Sequence, residues 1–194
     1  MKKGLGALGV LLALVVLLAL AFVGRNILQA RLEQAPSSEV GTAAEPSSSE
    51  DDTMLLADYD ATVYTDLGEP LRLSDIADGK PLVINFWATW CPYCVDELPD
   101  FQRIYAEYGD RVSFAFVDVA DGQRERAEDA SAWLVEQGFD DLPAFYDTSQ
   151  EAVVSFGAYA LPTTVVVSAD GEILTVTPGR IDATLMRGAL EQLV

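Results

Sequence analysis

The chain has 194 residues, a formal net charge of −19 and no histidine. Such acidity, with no Lys/Arg cluster beyond the first residues, repels phosphate backbones and argues against nucleic-acid binding. Without histidine, and with only two cysteines, the chain cannot build a Ser-His-Asp or Cys-His catalytic group or a four-thiolate metal site.

Residues 4–23 read GLGALGVLLALVVLLALAFV, without a polar side chain. As a helix at about 1.5 Å per residue this run spans roughly 30 Å, the hydrocarbon thickness of a bilayer. Ala19-Leu20-Ala21 lies inside the apolar run and makes a poor cleavage site, so residues 1–30 are expected to form an uncleaved anchor. Lys2 and Lys3 precede the span and acids dominate after it, which leaves the N-terminus cytoplasmic and the remainder extracytoplasmic. Residues 31–58, rich in Ser, Glu, Ala and Pro, are expected to be a solvated tether. Residues 59–194 remain, enough for one core.

Within that domain, 59–64 and 70–73 flank the turn signal Asp66-Leu67-Gly68-Glu69 and predict a hairpin. Ser74 is expected to cap a short helix. The run LVINFW at 82–87 predicts a strand buried on both faces. Beyond Cys91, Val95, Leu98, Phe101, Tyr105 and Tyr108 recur at helical spacing up to Gly109, with a kink expected at Pro99. Residues 112–119 predict a second buried strand and 124–137 a helix ending near Gly138. A crossover of this kind makes strands 82–87 and 112–119 parallel. A short strand at 143–146 and a short helix at 149–156 follow. Residues 163–168 and 172–177 then flank Ala169-Asp170-Gly171, a hairpin signal. A last helix over 182–193 is expected to bury Leu185, Ala189, Leu190 and Leu193. The result is a mixed α/β sheet covered by helices on both faces.

The chemistry is concentrated in Trp90-Cys91-Pro92-Tyr93-Cys94, where a buried strand ends and a helix begins. A lone C-x-x-C can be half of a zinc site, but no other ligands exist here and the domain is expected outside the reducing cytosol. A purely structural disulfide closing so short a loop would remove little unfolded-chain entropy. The pair therefore reads as a redox dithiol with no further cofactor and no metal. Cys91, at the helix start, faces unpaired N–H groups and the positive end of the dipole, which favour a thiolate and make it the nucleophile. Cys94, one turn in, is the resolving thiol. Pro92 suits the first helical turn, where its missing N–H has no partner.

With these residues in view the sequence resembles the thioredoxin superfamily, and within it the membrane-anchored TlpA/ResA type of thiol:disulfide oxidoreductase. The resemblance rests on Asn85-Phe86-Trp87-Ala88-Thr89-Trp90-Cys91-Pro92-Tyr93-Cys94, on Glu97-Leu98-Pro99 and on Leu161-Pro162-Thr163. It implies a three-layer thioredoxin-like fold with an N-terminal hairpin and an inserted helix and strand at about 124–146. It also implies a cis Pro162 facing the dithiol. Thioredoxin has a buried aspartate where this chain has Asn85, and ResA-type proteins place a glutamate at the position of Glu97. Glu97 is thereby expected to handle the proton of Cys94, against the alternative of a solvated acid in the first helical turn. Trp90, Leu161 and Pro162 are expected to meet the substrate. The resemblance further implies protein disulfide or dithiol clients, with apocytochrome c as one class, and a membrane thiol-transfer protein as electron donor.

The leading expectation is an extracytoplasmic reductase of client disulfides, with a disulfide-forming oxidase of the same fold as the alternative. A peroxidase reading is weakened because peroxiredoxins use a Thr-x-x-Cys setting, whereas this chain has Ala88-Thr89-Trp90-Cys91. A copper-type assembly factor is disfavoured by the lack of histidine.

Overall fold

The computed structural model describes residues 53–194. The anchor expected at 4–23 and most of the tether lie outside the described residues. Among the described residues no helix is long and apolar enough to cross a membrane.

The folded unit takes up the chain before residue 59. Met54 accepts a hydrogen bond from the Ile173 N–H, the Leu56 N–H donates to Gly171, and Leu56 is buried in a single helical turn, α1 (Leu56–Tyr59). Residues 54–58, expected in the tether, are thus part of the domain. The predicted hairpin follows as β1 (Thr62–Tyr64) and β2 (Pro70–Arg72), paired antiparallel with Tyr64 opposite Pro70. Its strands are shorter than expected because the chain turns into α2 (Leu73–Ala77) at once.

Ser74 does not cap α2 but lies inside it. The capping acceptor is Asp60, fourteen residues upstream. Its Oδ1 accepts the Ser74 N–H at 3.0 Å and its Oδ2 accepts the Ser74 hydroxyl at 2.8 Å and Arg72 Nε at 3.0 Å. Replacing Asp60 by Ala is expected to cost about 1–2 kcal/mol, read as a lower urea midpoint at unchanged slope.

Strand β3 (Leu82–Trp87) is buried at all six positions, so both faces of the sheet are covered there. It leads into α3 (Pro92–Tyr108), which ends at Gly109 and continues through Pro99. The missing N–H of that proline removes one hydrogen bond from the helix. Next come β4 (Ser113–Asp118), α4 (Ala127–Gln137), β5 (Ala144–Tyr146), α5 (Glu151–Phe156), β6 (Thr163–Val167), β7 (Ile173–Pro178) and α6 (Ala183–Leu190). Helix α4 starts later than the predicted 124 because Asp121 Oδ1 captures the N–H groups of Gln123 and Arg124 at 2.8 and 2.7 Å and folds them into a turn.

The seven strands form one mixed sheet in the order β2-β1-β5-β4-β3-β6-β7. Strands β3 and β4 are parallel, as expected, and β6 runs antiparallel to β3 with Phe86 opposite Thr163. The start of β6 therefore lies beside the end of β3, which positions the site. Helix α6 packs on α3 with Met186 and Leu190 buried, whereas Leu185 is 70% exposed. Of the residues expected inside, Leu190 is buried and Leu193 packs partly against the core, while the place expected for Leu185 is taken by its neighbour Met186. The tie between Arg187 and Glu107 at 2.8 Å orients α6 with Met186 facing inward.

Candidate active site

Cys91 is the N-cap of α3 and Pro92 its first residue. The two cysteines are joined as a disulfide with their Cα atoms 5.3 Å apart. Cys91 Sγ accepts the Cys94 N–H at 3.2 Å, so the sulfur sits among the unpaired amides of the helix start, where negative charge is stabilised. Cys91 is 4% exposed and Cys94 fully buried. An attacking or attacked client sulfur can reach only the first. Trp90 and Tyr93 flank the dithiol and are exposed.

The antiparallel register of β3 and β6 brings the Leu161-Pro162 turn to the same end of the sheet, and the bond between these residues is cis. The carbonyl of Pro162 is taken by the Gly179 N–H at 2.7 Å, while no backbone partner engages Leu161 among the described residues. Between Trp90 on one side and Tyr159 and Leu161 on the other runs a groove of about 240 Å³, floored by Val119, Val153 and Ala158. An extended segment lying there could pair with the free backbone of Leu161.

Glu97 is not a solvated acid of the first turn. It is fully buried, whereas neighbouring Asp96 is exposed. Asn85 Nδ2 donates to Glu97 Oε1 at 2.9 Å and to Thr164 Oγ1 at 3.1 Å, and the Ile181 N–H donates to Glu97 Oε2 at 3.2 Å. Burial pushes the carboxyl up to about 7, against the pull of the Asn85 and Ile181 hydrogen bonds and of Arg180. Asn85 thus does more than lack a proton-exchanging group, because it aims the Glu97 carboxyl from the strand beneath it. The two side chains meet between β3 and α3, and Glu97 lies one helical turn beyond Cys94, on the adjoining face.

Three further residues stand at the site that the sequence reading did not single out. Arg124 stacks over Trp90, 3.5 Å from its ring centroid. Glu125, nearly buried, accepts the Thr89 N–H and hydroxyl. Asp118, fully buried, ends β4 opposite Trp87. An acid inside the apolar run 112–119 was a visible signal, since a buried carboxylate needs a reason.

The AhpC/TSA family profile matches residues 56–176. The chain belongs to this family. Among curated relatives, it is 31% identical over 120 residues to the thiol:disulfide interchange protein DsbE of Allochromatium vinosum, covering 62% of this chain and 63% of that one. It is 27% identical over 124 residues to the thiol-disulfide oxidoreductase ResA of Halalkalibacterium halodurans, covering 64% and 68%. The aligned part is thus less than two thirds of the DsbE relative's length. Among solved structures, the exposed lipoprotein thioredoxin of Streptococcus pneumoniae superposes with a TM-score of 0.60 at 28% identity, over 69% of this chain and 99% of that one. A Mycobacterium tuberculosis dsbF structure gives 0.63 at 22% identity, over 73% and 100%, which speaks to the fold alone. The thioredoxin-like α/β architecture expected from the motifs is therefore the observed one.

Proposed function

We propose that the protein is a thiol:disulfide oxidoreductase whose redox group is the Cys91/Cys94 dithiol itself, and that it reduces disulfides of extracytoplasmic proteins. The observation that carries this reading is the asymmetry of the pair. One sulfur sits at a helix N-terminus on the residue that keeps a small exposed edge, and the other is fully enclosed one turn from a buried, proton-binding Glu97.

In the reducing direction the Cys91 thiolate attacks one sulfur of a client disulfide. An S–S bond forms between Cys91 and the client, the client S–S bond breaks, and its second sulfur leaves as a thiolate that takes a proton from water. Glu97 accepts the proton of Cys94, and the Cys94 thiolate attacks Cys91 Sγ. This releases the client sulfur that was bonded to Cys91 as a thiolate and closes the Cys91–Cys94 disulfide. Two electrons have passed from the protein to the client. Trp90, Leu161 and Pro162 border the path of the client chain, with the unpaired backbone of Leu161 as its docking edge. The disulfide is then reopened by a dithiol donor, by resemblance a membrane thiol-transfer protein. Apocytochrome c thiols are the client class suggested by the same resemblance.

Residues 1–30 fit the role of a single-pass anchor with a cytoplasmic N-terminus, 31–58 that of an acidic tether whose last residues join the domain, and 59–194 the thioredoxin-like domain. A reporter enzyme that folds only outside the cytoplasm, fused after Val194, is expected to be active. Activity of a reporter that works only in the cytoplasm would reverse the topology.

The activity itself is tested by equilibrating the protein in dithiothreitol or glutathione buffers, quenching with acid and alkylating free thiols. A reversible two-thiol transition and stoichiometric reduction of a protein disulfide are expected. A dithiol that exchanges with neither buffer nor client would overturn the proposal, and the equilibrium potential separates a reductase from an oxidase.

A further inference from the structure

Strand β4 ends at Asp118, which stands opposite Trp87 of β3 and Tyr146 of β5. Neither carboxyl oxygen has an N–H or O–H donor among the described residues. What adjoins Asp118 is a second carboxyl, that of Glu125. Two ionised carboxylates in a buried contact repel strongly, whereas one proton between them makes a charge-assisted hydrogen bond.

Glu125 is in turn tied to the segment that presents Cys91. Both its oxygens lie 3.2 Å from the Thr89 nitrogen, and Oε1 also accepts the Thr89 hydroxyl. Its own loop is built to hold it there. Asp121 gathers the N–H groups of Gln123 and Arg124, and the Gly122 N–H closes on the Glu125 carbonyl at 2.9 Å. Gly122 has φ +71°, a conformation that glycine adopts without steric cost. Arg124 and Glu125, adjacent in the loop, therefore grip Trp90 and Thr89, adjacent in the segment ahead of Cys91.

We propose that Asp118 and Glu125 share a single proton and that this pair, together with the Arg124–Trp90 stack, is a clamp that positions Thr89, Trp90 and thereby Cys91. These are positioning residues, and their importance for exchange rests on the dithiol reading above. A proton held on Asp118 removes a negative charge from beside the Glu125 carboxyl that accepts from Thr89. The ionisable groups acting on Asp118 are Glu125 and Asp121 from the loop and Tyr146 from β5. Burial, and then the charge of Glu125, push Asp118 up to about 9. Above that pH a second negative charge appears against Glu125, and repulsion between the two loosens the hold on Thr89.

The test uses full-length oxidised protein in detergent micelles, in which the joined cysteines do not titrate, so its outcome is independent of whether the protein exchanges with clients. Aspartate is labelled with ¹³C at the carboxyl, tryptophan with ¹⁹F, and the Trp90 signal is assigned by Trp90→Phe. One aspartate carboxyl is expected to titrate near pH 9, with the Trp90 resonance moving at the same midpoint. Asp118→Asn should remove both steps, and Glu125→Gln should lower the aspartate midpoint by about one pH unit or more. A separate measurement on reduced protein, which does rest on the dithiol reading, follows positioning of Cys91: Thr89→Val should slow its attack on a model disulfide by about 10-fold, and Thr89→Ser should not. If every aspartate carboxyl is ionised by pH 7, or the Trp90 resonance ignores the pH 9 step, the clamp is refuted. The labelled parent decides this even if Asp118→Asn fails to fold.

Discussion

Cys94→Ser is expected to leave the protein covalently joined to its clients through Cys91, while Cys91→Ser should abolish exchange and yield no adducts. The reason is access. Cys94 is fully enclosed beneath the first turn of α3, and of the two only Cys91 keeps any exposure, 4%. The helix-start amides act on the same atom, because Cys91 Sγ is the acceptor for the Cys94 N–H, so thiolate character and accessibility coincide in one residue. A mixed disulfide formed by Cys91 can be released only by an internal thiol or by an external one, and serine supplies no nucleophile able to cleave a disulfide at neutral pH. Non-reducing gels after acid quenching should show most of the Cys94→Ser protein in reducible adducts. Adducts formed by Cys91→Ser but not by Cys94→Ser would exchange the two roles.

The parts of the fold that could be read in the chain are those specified by neighbours in sequence. The uninterrupted apolar run 82–87 defines a strand buried on both faces, Pro92 and Gly109 bracket α3, and Asp170-Gly171 turns β6 into β7. The differences arise where a distant group intervenes. Ser74 carries the signature of a cap, but Asp60 reaches across from before β1 and takes that role. The stretch 54–58 has tether-like sequence around it, yet its backbone pairs with the β6–β7 turn more than a hundred residues later. In α6 two apolar stripes, one through Leu185 and one through Met186, differ by a single position. Only tertiary packing against α3 selects between them.

The site divides along the same line. Cys91, Cys94 and Glu97 share one helix, so their spacing alone places them together, and Pro162 is recognisable from its tripeptide. The groups that tune them come from other elements. Asn85 reaches Glu97 because β3 lies under α3, and Ile181 reaches it from the turn before α6. Arg124 and Glu125 sit in a charged run, Arg-Glu-Arg, that reads as solvated surface. They become part of the site only because the turn at Asp121 folds them back onto Thr89 and Trp90. The acid could be located from sequence. Its protonation depends on burial that only the assembled sheet provides.

That burial makes Glu97→Gln the most informative single change. As the proton acceptor for Cys94, Glu97 must be ionised, so resolution of a mixed disulfide should accelerate as pH rises through about 7. The Gln variant should be slower by about 10- to 1000-fold at neutral pH and should lack that inflection. Single-turnover release of a client from the Cys91 mixed disulfide measures both. Exposed Asp96, converted to Asn, should change neither. Folding stability supplies an independent check with a definite sign. Because the native state raises Glu97 from 4.5 to about 7, it binds this proton more tightly than the unfolded chain does. The stabilisation is therefore complete below about 4.5 and is lost as pH climbs through about 7, on the order of 3 kcal/mol. Asp118 contributes a slope of the same sign over a wider range, so the quantity to compare is parent minus variant. Parent minus Glu97→Gln should fall by about 3 kcal/mol between pH 4.5 and 7 and stay level outside that window. A variant matching the parent in both the rate profile and the stability slope would leave the Cys94 proton to water or to Cys91, and Asn85 would then be holding an acid that takes no part in exchange.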